Sequence, residues 1–266
     1  MNTLRNNNST VADGVFLKDW SVKLSVPIVS IDYSLAPQAP FPRALEEVFY
    51  AYCWALKNAE LLGSSGENIV LVGDSAGGNL VTACTIKCIE MGIRRPQGLL
   101  NIYPVFLANY ASAPSRFLGF MDIILPYSPH MKLFKFYNGF DENSKVENIY
   151  DIPDQTSENY KLPQDKLFSP LLAQTEILKK FPKTFLLTTI FDPCLDECVE
   201  FAKKLTAENI DCKLDILDDL NHGFLMLSGV SQFVFFLCCR NNHFISEYPG
   251  IERLSAWVRM LYSKNS

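Results

Sequence analysis

The sequence lacks long apolar runs and blocks of basic residues. A membrane-spanning helix needs about 20 consecutive apolar residues, whereas the most apolar local stretch, residues 233–239, is much shorter. The polar N-terminal residues 1–10 contain no apolar core of a signal peptide. A net charge of -5 argues against nucleic acid and against electrostatic docking on an anionic membrane. We therefore expect no transmembrane segment and no nucleic-acid partner.

Closely spaced metal ligands are also scarce. The chain has eight cysteines but no Cys-x-x-Cys pair, and it has only three histidines. Two pairs of cysteines lie four residues apart on predicted helices, and one pair is adjacent: Cys84 with Cys88, Cys194 with Cys198, and Cys238 with Cys239. These spacings do not match a zinc site, so we expect no metal and no cofactor. The thiols are expected to be reduced and mostly buried, as in a cytosolic protein.

What is present is the composition and patterning of one large α/β domain. The chain has 266 residues, of which 48% are hydrophobic and 20% charged. Stretches that favour strands alternate with helical patterns, which predicts a mostly parallel sheet flanked by helices.

The predicted strands are 27–32, 69–72, 98–103, 184–190 and 212–217. The predicted helices are 13–24, 42–57, one from the end of strand 69–72 to about 92, 195–208, 223–230 and 252–263. Residues 1–12 are predicted to be disordered or a replaced start. Residues 104–169, without a clean strand, are predicted to be an insertion that forms a cap.

The stretch from Asn68 to Val81 carries the most specific motif. Its apolar run Ile69–Val72 predicts a strand buried on both faces, and a helical pattern follows. Between them lies Gly-x-Ser-x-Gly, whose small residues allow a sharp turn and close packing of helix against strand. This is the nucleophile elbow of α/β-hydrolases. We predict that Ser75 is the nucleophile and that the Ala76 backbone N–H is an oxyanion donor.

A serine hydroxyl needs a base within hydrogen-bond reach. In this fold the acid and then the histidine follow the serine in the sequence, each just beyond a strand. His222 directly follows the predicted strand 212–217, whereas His130 lies in the insertion and His243 lies far beyond the last strand. His222 is therefore the predicted base.

The acid that orients the histidine should follow the preceding strand. Asp192 is the first acidic residue after strand 184–190 and is the predicted acid. An alternative interpretation of Asp192 is a helix N-cap. Asp196 and Glu197 are predicted to lie in the first turn of the next helix, where acidic side chains interact favourably with the helix dipole.

Several stretches resemble the hormone-sensitive lipase family, which also includes bacterial esterases and arylacetamide deacetylases. They are Ile31–Pro37, Ala39–Glu47, Gly73–Leu80, Asp192–Pro193 with Asp196, and His222–Phe224. Three more stretches resemble the founding lipase of that family more than its other members: Tyr52–Ala55, Leu62–Glu67, and Pro114–Arg116 with Phe120–Asp122. The resemblance covers about residues 13–227 and the last helix. It implies an α/β-hydrolase fold over a partial catalytic domain, residues 13–266. It also implies an esterase of acylglycerols, cholesteryl esters or retinyl esters, in the cytosol and at lipid droplets.

The sequence departs from the family pattern at its start. The family carries a His-Gly-Gly-Gly loop ahead of the helix that corresponds to 13–24, and this sequence has Asn6–Thr10 in about that place. Losing one oxyanion donor typically lowers turnover by ~10²–10³. The family strand before that loop, which lies between the strands at 28–32 and 69–72, also has no counterpart. We therefore expect a chain truncated at the N-terminus, with two strand edges left unpaired.

Two functional hypotheses follow from these observations. The first is an active serine hydrolase of carboxylic esters, which the complete set of Ser75, Asp192 and His222 favours. The alternative is a catalytically inactive or incomplete lipase-like chain that acts as a lipid-binding or regulatory paralogue, which the missing loop favours. The insertion is rich in aromatic residues, which fit either an acyl-binding cap or the cap's own core: Phe106, Phe117, Phe120, Phe134 and Phe136.

Overall fold

The computed structural model describes residues 17–108, 113–139 and 163–227, apart from positions 19, 23, 123 and 219. Its four strands are β1 (Val70–Asp74), β2 (Gly98–Ile102), β3 (Lys183–Thr189) and β4 (Cys212–Leu217). Its α-helices after residue 24 are α1 (Arg43–Lys57), α2 (Ala76–Glu90), α3 (Pro114–Leu118), α4 (Tyr127–Tyr137), α5 (Thr175–Leu178) and α6 (Leu195–Ala207). Residues 17–24 are also helical where they are described. Three 3₁₀ turns complete the set: Ala59–Leu62, Pro170–Leu172 and Phe224–Leu227.

The four strands form one parallel sheet in the order β1-β2-β3-β4. Val70 pairs with Gly98, and Thr184 pairs with Cys212, so the carboxyl ends of the strands lie at one edge. All residues of β2 are buried, as expected for a parallel strand covered on both faces. The predicted mostly parallel sheet flanked by helices is confirmed.

The two faces of the sheet are covered by different elements. On one face Leu99 and Leu186 pack with Phe201 of α6 and Ile86 of α2. On the other face Leu100 and Leu187 belong to a cluster that includes Trp20, Phe224 and Leu225. Alternating residues of the strands therefore contribute to two separate cores, which follows from the two-residue period of a strand.

Helix α1 packs on α2 through its apolar stripe. Ala44, Leu45, Val48 and Tyr52 are buried in one cluster with residues of α2. Their spacing of three and four residues places them on one side of the helix. The predicted helix 42–57 is confirmed, and Pro42 occupies its N-cap position.

The predicted strand at 27–32 was wrong. Residues 26–31 form no strand, and Ile28 and Val29 are 37% and 50% exposed. Residues 26–31 and β1 both line an open groove of about 380 Å³. Within the described part of the chain, residues 27–32 have no neighbouring strand that satisfies their backbone groups, so the extended pattern forms no sheet.

The prediction that the elbow strand is buried on both faces was also wrong. Val70 and Leu71 are half-buried, and Val72 is 39% exposed. The reason is that β1 pairs only with β2 among the described strands, so its other side faces the groove.

The remaining predicted elements agree with the structure where it describes them, except the helix predicted at 223–230. The other predicted strands and the helices that end near residues 92 and 208 lie within two residues of the observed ones. The helix predicted at 223–230 is a 3₁₀ turn over Phe224–Leu227, and the rest of that range lies outside the described residues. The predictions for residues 1–12 and 252–263 lie outside them as well. The described part of the insertion contains α3 and α4 and no strand. None of the described helices combines the length and the apolar character needed to cross a membrane.

Candidate active site

The serine of the motif lies on the turn between β1 and α2. Ser75 has a φ of +51°, which is uncommon for a residue with a side chain and carries a conformational cost. Its backbone N–H donates to the Ile102 carbonyl at 2.9 Å, and its carbonyl accepts the N–H groups of Asn79 and Val105 at 3.3 and 3.4 Å. The neighbouring strand and helix therefore hold Ser75 in this conformation.

Two glycines of the turn allow its close packing. A Cβ at Gly73 would lie 2.3 Å from the Gly77 carbonyl oxygen. A Cβ at Gly78 would lie 2.7 Å from Cβ of Pro104. By contrast, a Cβ at Gly77 would meet no atom closer than 3.9 Å. The first glycine of Gly-x-Ser-x-Gly is thus a steric requirement of the turn, and the second is not.

The three predicted side chains lie in one chain of hydrogen bonds. The Ser75 Oγ is 2.8 Å from the Nε2 of His222, and the Nδ1 of His222 is 3.1 Å from the Oδ1 of Asp192. All three residues are buried: the exposed fractions are 8% for Ser75, 3% for His222 and 0% for Asp192. The structure therefore brings together residues that lie as far as 147 positions apart in the sequence.

Asp192 lies in the loop between β3 and α6. The Thr188 hydroxyl donates to its Oδ2 at 3.2 Å, and the Cys194 backbone N–H donates to its Oδ1 at 2.7 Å. Cys194 occupies the N-cap position of α6, so the alternative interpretation of Asp192 as an N-cap is wrong. The two extra donors hold the carboxylate oxygens in place against the imidazole.

His222 lies in the loop after β4 and contacts two further residues besides Ser75 and Asp192. The Tyr103 ring packs against the imidazole with ring centroids 4.9 Å apart. The His222 backbone N–H donates to the Oδ2 of Asp122 at 2.9 Å. Tyr103 donates its hydroxyl to Asp74 at 3.3 Å, and burial raises the pKa of Tyr103 well above its ordinary value. The phenol therefore stays neutral and acts as a donor.

Sequence reasoning missed Tyr103 and did not assign a role to Asp122. Tyr103 directly follows β2, and side chains beyond the carboxyl ends of parallel strands are where sites form in α/β folds. That position is a signal that could have found Tyr103. Asp122 lies in the insertion, 100 residues from His222, and no local pattern indicates their contact.

The two histidines that were set aside have different outcomes. His130 lies in α4, fully buried, with its Nε2 4.0 Å from the Cys194 Sγ and no contact to Ser75. Burial lowers the pKa of His130 well below its ordinary value, with a smaller contribution from Arg116. It is therefore a neutral side chain packed beside the acid loop. His243 lies outside the described residues.

A small apolar pocket of about 70 Å³ adjoins the turn. Ala76, the first residue of α2, contributes to its lining, and the first N–H groups of a helix have no partners within the helix. Most other lining residues are aliphatic or aromatic; they include Leu35, Leu80, Leu133, Phe134, Phe136 and Phe168. The pocket can therefore hold a small apolar group beside Ala76, the residue that follows Ser75.

The described residues contain one group of side chains with ligand atoms close enough to hold a metal ion. Asp192, Cys194 and His222 offer ligand atoms within 4.8 Å of one another. Asp192 and His222 already bond to each other, and burial raises the pKa of the Cys194 thiol well above its ordinary value. A protonated thiol is a poor ligand because the thiolate is the form that binds metals.

Comparisons with known proteins identify the family of this chain. A family model described as alpha/beta hydrolase fold matches residues 7–226. Hormone-sensitive lipase of Mus musculus is 51% identical over 140 residues, which are 50% of this chain and 18% of the lipase. Neutral cholesterol ester hydrolase 1 of Mus musculus is 28% identical over 250 residues, covering 78% of this chain and 61% of that protein. This chain thus spans less than two thirds of the length of either relative.

A solved structure shows the same fold over nearly the whole chain. The thermostable carboxylesterase EstE1, cloned from a metagenomic library, superposes with a TM-score of 0.76. The match covers 96% of this chain and 76% of that structure, at 24% sequence identity. Because the family model covers most of the sequence, this chain belongs to the family of proteins with the alpha/beta hydrolase fold.

Proposed function

We propose that this chain is a serine hydrolase of carboxylic esters that works through an acyl-enzyme on Ser75. The observation that carries the proposal is the hydrogen-bonded series from Ser75 through His222 to Asp192 at the nucleophile elbow. A buried serine, base and acid in this order and geometry are the parts that acyl transfer needs. The esterases and lipases among the similar proteins support the same reaction class.

Each residue then has a defined role. The Ser75 Oγ attacks the ester carbonyl carbon while its proton moves to the Nε2 of His222, 2.8 Å away. Asp192 accepts the Nδ1–H and stabilises the imidazolium that forms. His222 returns the proton to the leaving alcohol as the carbonyl–oxygen bond breaks. Water, deprotonated by His222, then attacks the acyl-enzyme and releases the acid and Ser75.

The negative charge on the carbonyl oxygen needs hydrogen-bond donors. The Ala76 N–H at the start of α2 is one donor, and the positive end of the helix dipole adds to it. The sequence contains no His-Gly-Gly-Gly loop to supply further donors. We therefore expect a turnover lower than that of an esterase with a complete oxyanion hole.

The substrate we propose is a lipid ester: an acylglycerol, a cholesteryl ester or a retinyl ester. The apolar pocket beside Ala76 supports an apolar acyl group, and the names of the similar proteins support the lipid class. We propose that the protein acts in the cytoplasm and at lipid droplets. Flotation of the purified chain with triacylglycerol emulsions would test the droplet association.

The hydrolase proposal is tested by fluorophosphonate labelling and by p-nitrophenyl ester hydrolysis. We expect the folded wild type to be labelled and Ser75→Ala not to be labelled. We also expect Ser75→Ala to have a turnover at least about 1,000-fold lower than the wild type, as removal of the nucleophile has in other serine hydrolases. A matched control is Ser169→Ala, which removes another buried serine hydroxyl outside the triad. Absence of labelling in a folded wild-type chain would overturn the proposal. Lipid binding without turnover would instead select the inactive lipid-binding alternative, which the similar proteins do not favour.

A further inference from the structure

One segment of the insertion contacts both loops that carry the proposed acid and base. The segment runs from Pro114 to Leu125 and includes α3. Its side chains at Ser115, Arg116 and Asp122 are each only 3% exposed. Because polar groups are buried only when they are bonded, these contacts indicate what the segment holds.

The first half of the segment contacts the loop of the acid. The Ser115 hydroxyl donates to the Pro193 carbonyl at 3.0 Å, and the Ser115 backbone N–H donates to Asp196 at 2.8 Å. The Arg116 guanidinium pairs with the Glu197 carboxylate at 2.7 Å, with both side chains almost fully buried. These bonds attach the segment to residues 193–197, directly after Asp192.

The second half contacts the base through Asp122. The Oδ1 of Asp122 accepts the N–H groups of Ile124 and Leu125, each at 2.8 Å. Its Oδ2 accepts the backbone N–H of His222 at 2.9 Å. One carboxylate oxygen therefore organises a local turn, while the other bonds to the catalytic loop.

The bond to His222 constrains the position of the imidazole. His222 is followed by Gly223 with a φ of +76°, a conformation that costs glycine little, so the backbone can turn directly after the bonded His222 N–H. Hydrogen bonds to an ionised acceptor are stronger than those between neutral groups. The backbone of His222 is thus held by Asp122 while its ring is held between Asp192 and Ser75.

We propose that Asp122 is a positioning residue for His222, and that through it the insertion sets the geometry of the proton transfer. The inference rests on the proposed hydrolase function. It differs from a purely local role, in which Asp122 would only organise the turn at Ile124 and Leu125.

Asp122→Asn separates these two roles. An amide has one accepting oxygen, so it can retain the two turn bonds or the single His222 bond, but not both. Two N–H groups converge on Oδ1, so the amide oxygen remains on the turn side and its NH₂ faces the His222 N–H. Asp122→Ser is a second variant, since a serine hydroxyl can cap the turn but is too short to reach His222. Asp165→Asn is the matched control, because Asp165 accepts the Leu167 N–H at 2.8 Å and has no bond to the triad.

The first measurement is backbone amide hydrogen exchange, which does not depend on activity. In Asp122→Asn we expect the His222 amide to exchange about 10- to 100-fold faster, the range for loss of a hydrogen bond to a charged group. The Leu125 amide should keep its protection, and Asp165→Asn should leave both amides unchanged. Unchanged protection of His222 in folded Asp122→Asn and Asp122→Ser would overturn the proposal.

The second measurement is ester hydrolysis with kcat and KM determined separately. A misplaced base lowers kcat, by up to about 100-fold for a displacement near 1 Å, and leaves KM within about twofold. An unchanged kcat in Asp122→Asn would overturn the positioning role. An equally large loss of kcat in Asp165→Asn, accompanied by a lower Tm, would overturn it as well. If the wild type neither hydrolyses esters nor reacts with a fluorophosphonate, the hydrolase proposal fails, and the exchange rates still decide whether Asp122 anchors His222.

Discussion

Strand β1 borders two regions that are packed very differently. At its carboxyl end, Ser75 and the loops around it are buried, and their polar groups are bonded to one another. Along its outer side, β1 faces a groove of about 380 Å³, and Val72 is 39% exposed. The same strand therefore borders a buried, hydrogen-bonded region at its end and an open groove along its side.

The difference shows what each region requires. Ser75, Asp192 and His222 lie beyond the carboxyl ends of β1, β3 and β4, so their arrangement does not depend on a further strand beside β1 among the described residues. The outer side of β1 would need another extended segment to satisfy its backbone groups. Geometry of the triad and completion of the sheet are thus separate properties, which the following substitutions can distinguish.

The largest effect is expected at the turn itself. In Gly73→Ala the new Cβ would lie 2.3 Å from the Gly77 carbonyl oxygen, and backbone atoms cannot move aside cheaply. We expect a loss of at least about 4 kcal/mol in the free energy of unfolding, in the range of severe steric conflicts. Gly77→Ala is the control within the same motif, because its Cβ would meet no atom closer than 3.9 Å, and we expect a change below about 1 kcal/mol. Urea denaturation measures both; similar losses would contradict the assignment of the steric requirement to Gly73.

A second pair of substitutions compares β1 with its neighbour β2. Val72 and Leu100 are register partners on neighbouring strands, but Leu100 is fully buried and Val72 is not. We expect Leu100→Ala to cost about 2–5 kcal/mol and Val72→Ala less than about 1 kcal/mol, because Val72 is already partly in water. Urea denaturation of both variants tests the comparison. Equal losses would mean that the outer side of β1 is covered in solution.

The smallest effect is a pH dependence that comes from the buried Arg116–Glu197 pair. Burial raises the pKa of Glu197 to about 7, although Arg116 and two backbone N–H groups lower it. The folded chain then binds this proton more tightly than the unfolded chain, where a glutamate has its ordinary pKa near 4.5. The contribution of protonated Glu197 to the free energy of unfolding is therefore fully present below pH 4.5 and is lost as the pH rises through 7.

Glu197→Gln removes this titration. The free energy of unfolding of the wild type relative to Glu197→Gln should fall by up to about 3 kcal/mol between pH 4.5 and 8. Urea denaturation at several pH values measures the difference, and Glu200→Gln, a substitution at an exposed glutamate of the same helix, serves as the control. A relative stability that rises with pH would show that Arg116 outweighs burial at this site.

Much of the site could be predicted because its signals are local. The apolar run before Ser75, the small residues of the turn and the positions of Asp192 and His222 directly after strands depend on short stretches of sequence. The strand predicted at 27–32 failed because a strand exists only with a partner, and its pattern of residues does not contain that partner. The burial predicted for Val72 failed for the same reason.

By itself, the sequence determined the parallel α/β architecture, the turn at Ser75 and the proposed order of nucleophile, acid and base, because these follow from local periodicity and from residue types at strand ends. Only the tertiary structure decided which distant groups support them: the Tyr103 ring against His222, the Asp122 carboxylate on its backbone, and Glu197 buried against Arg116. Such contacts join segments about 80 to 120 residues apart. They depend on how segments distant in the sequence pack together, since burial and bonding of a polar group are set by all of its neighbours rather than by its position in the chain.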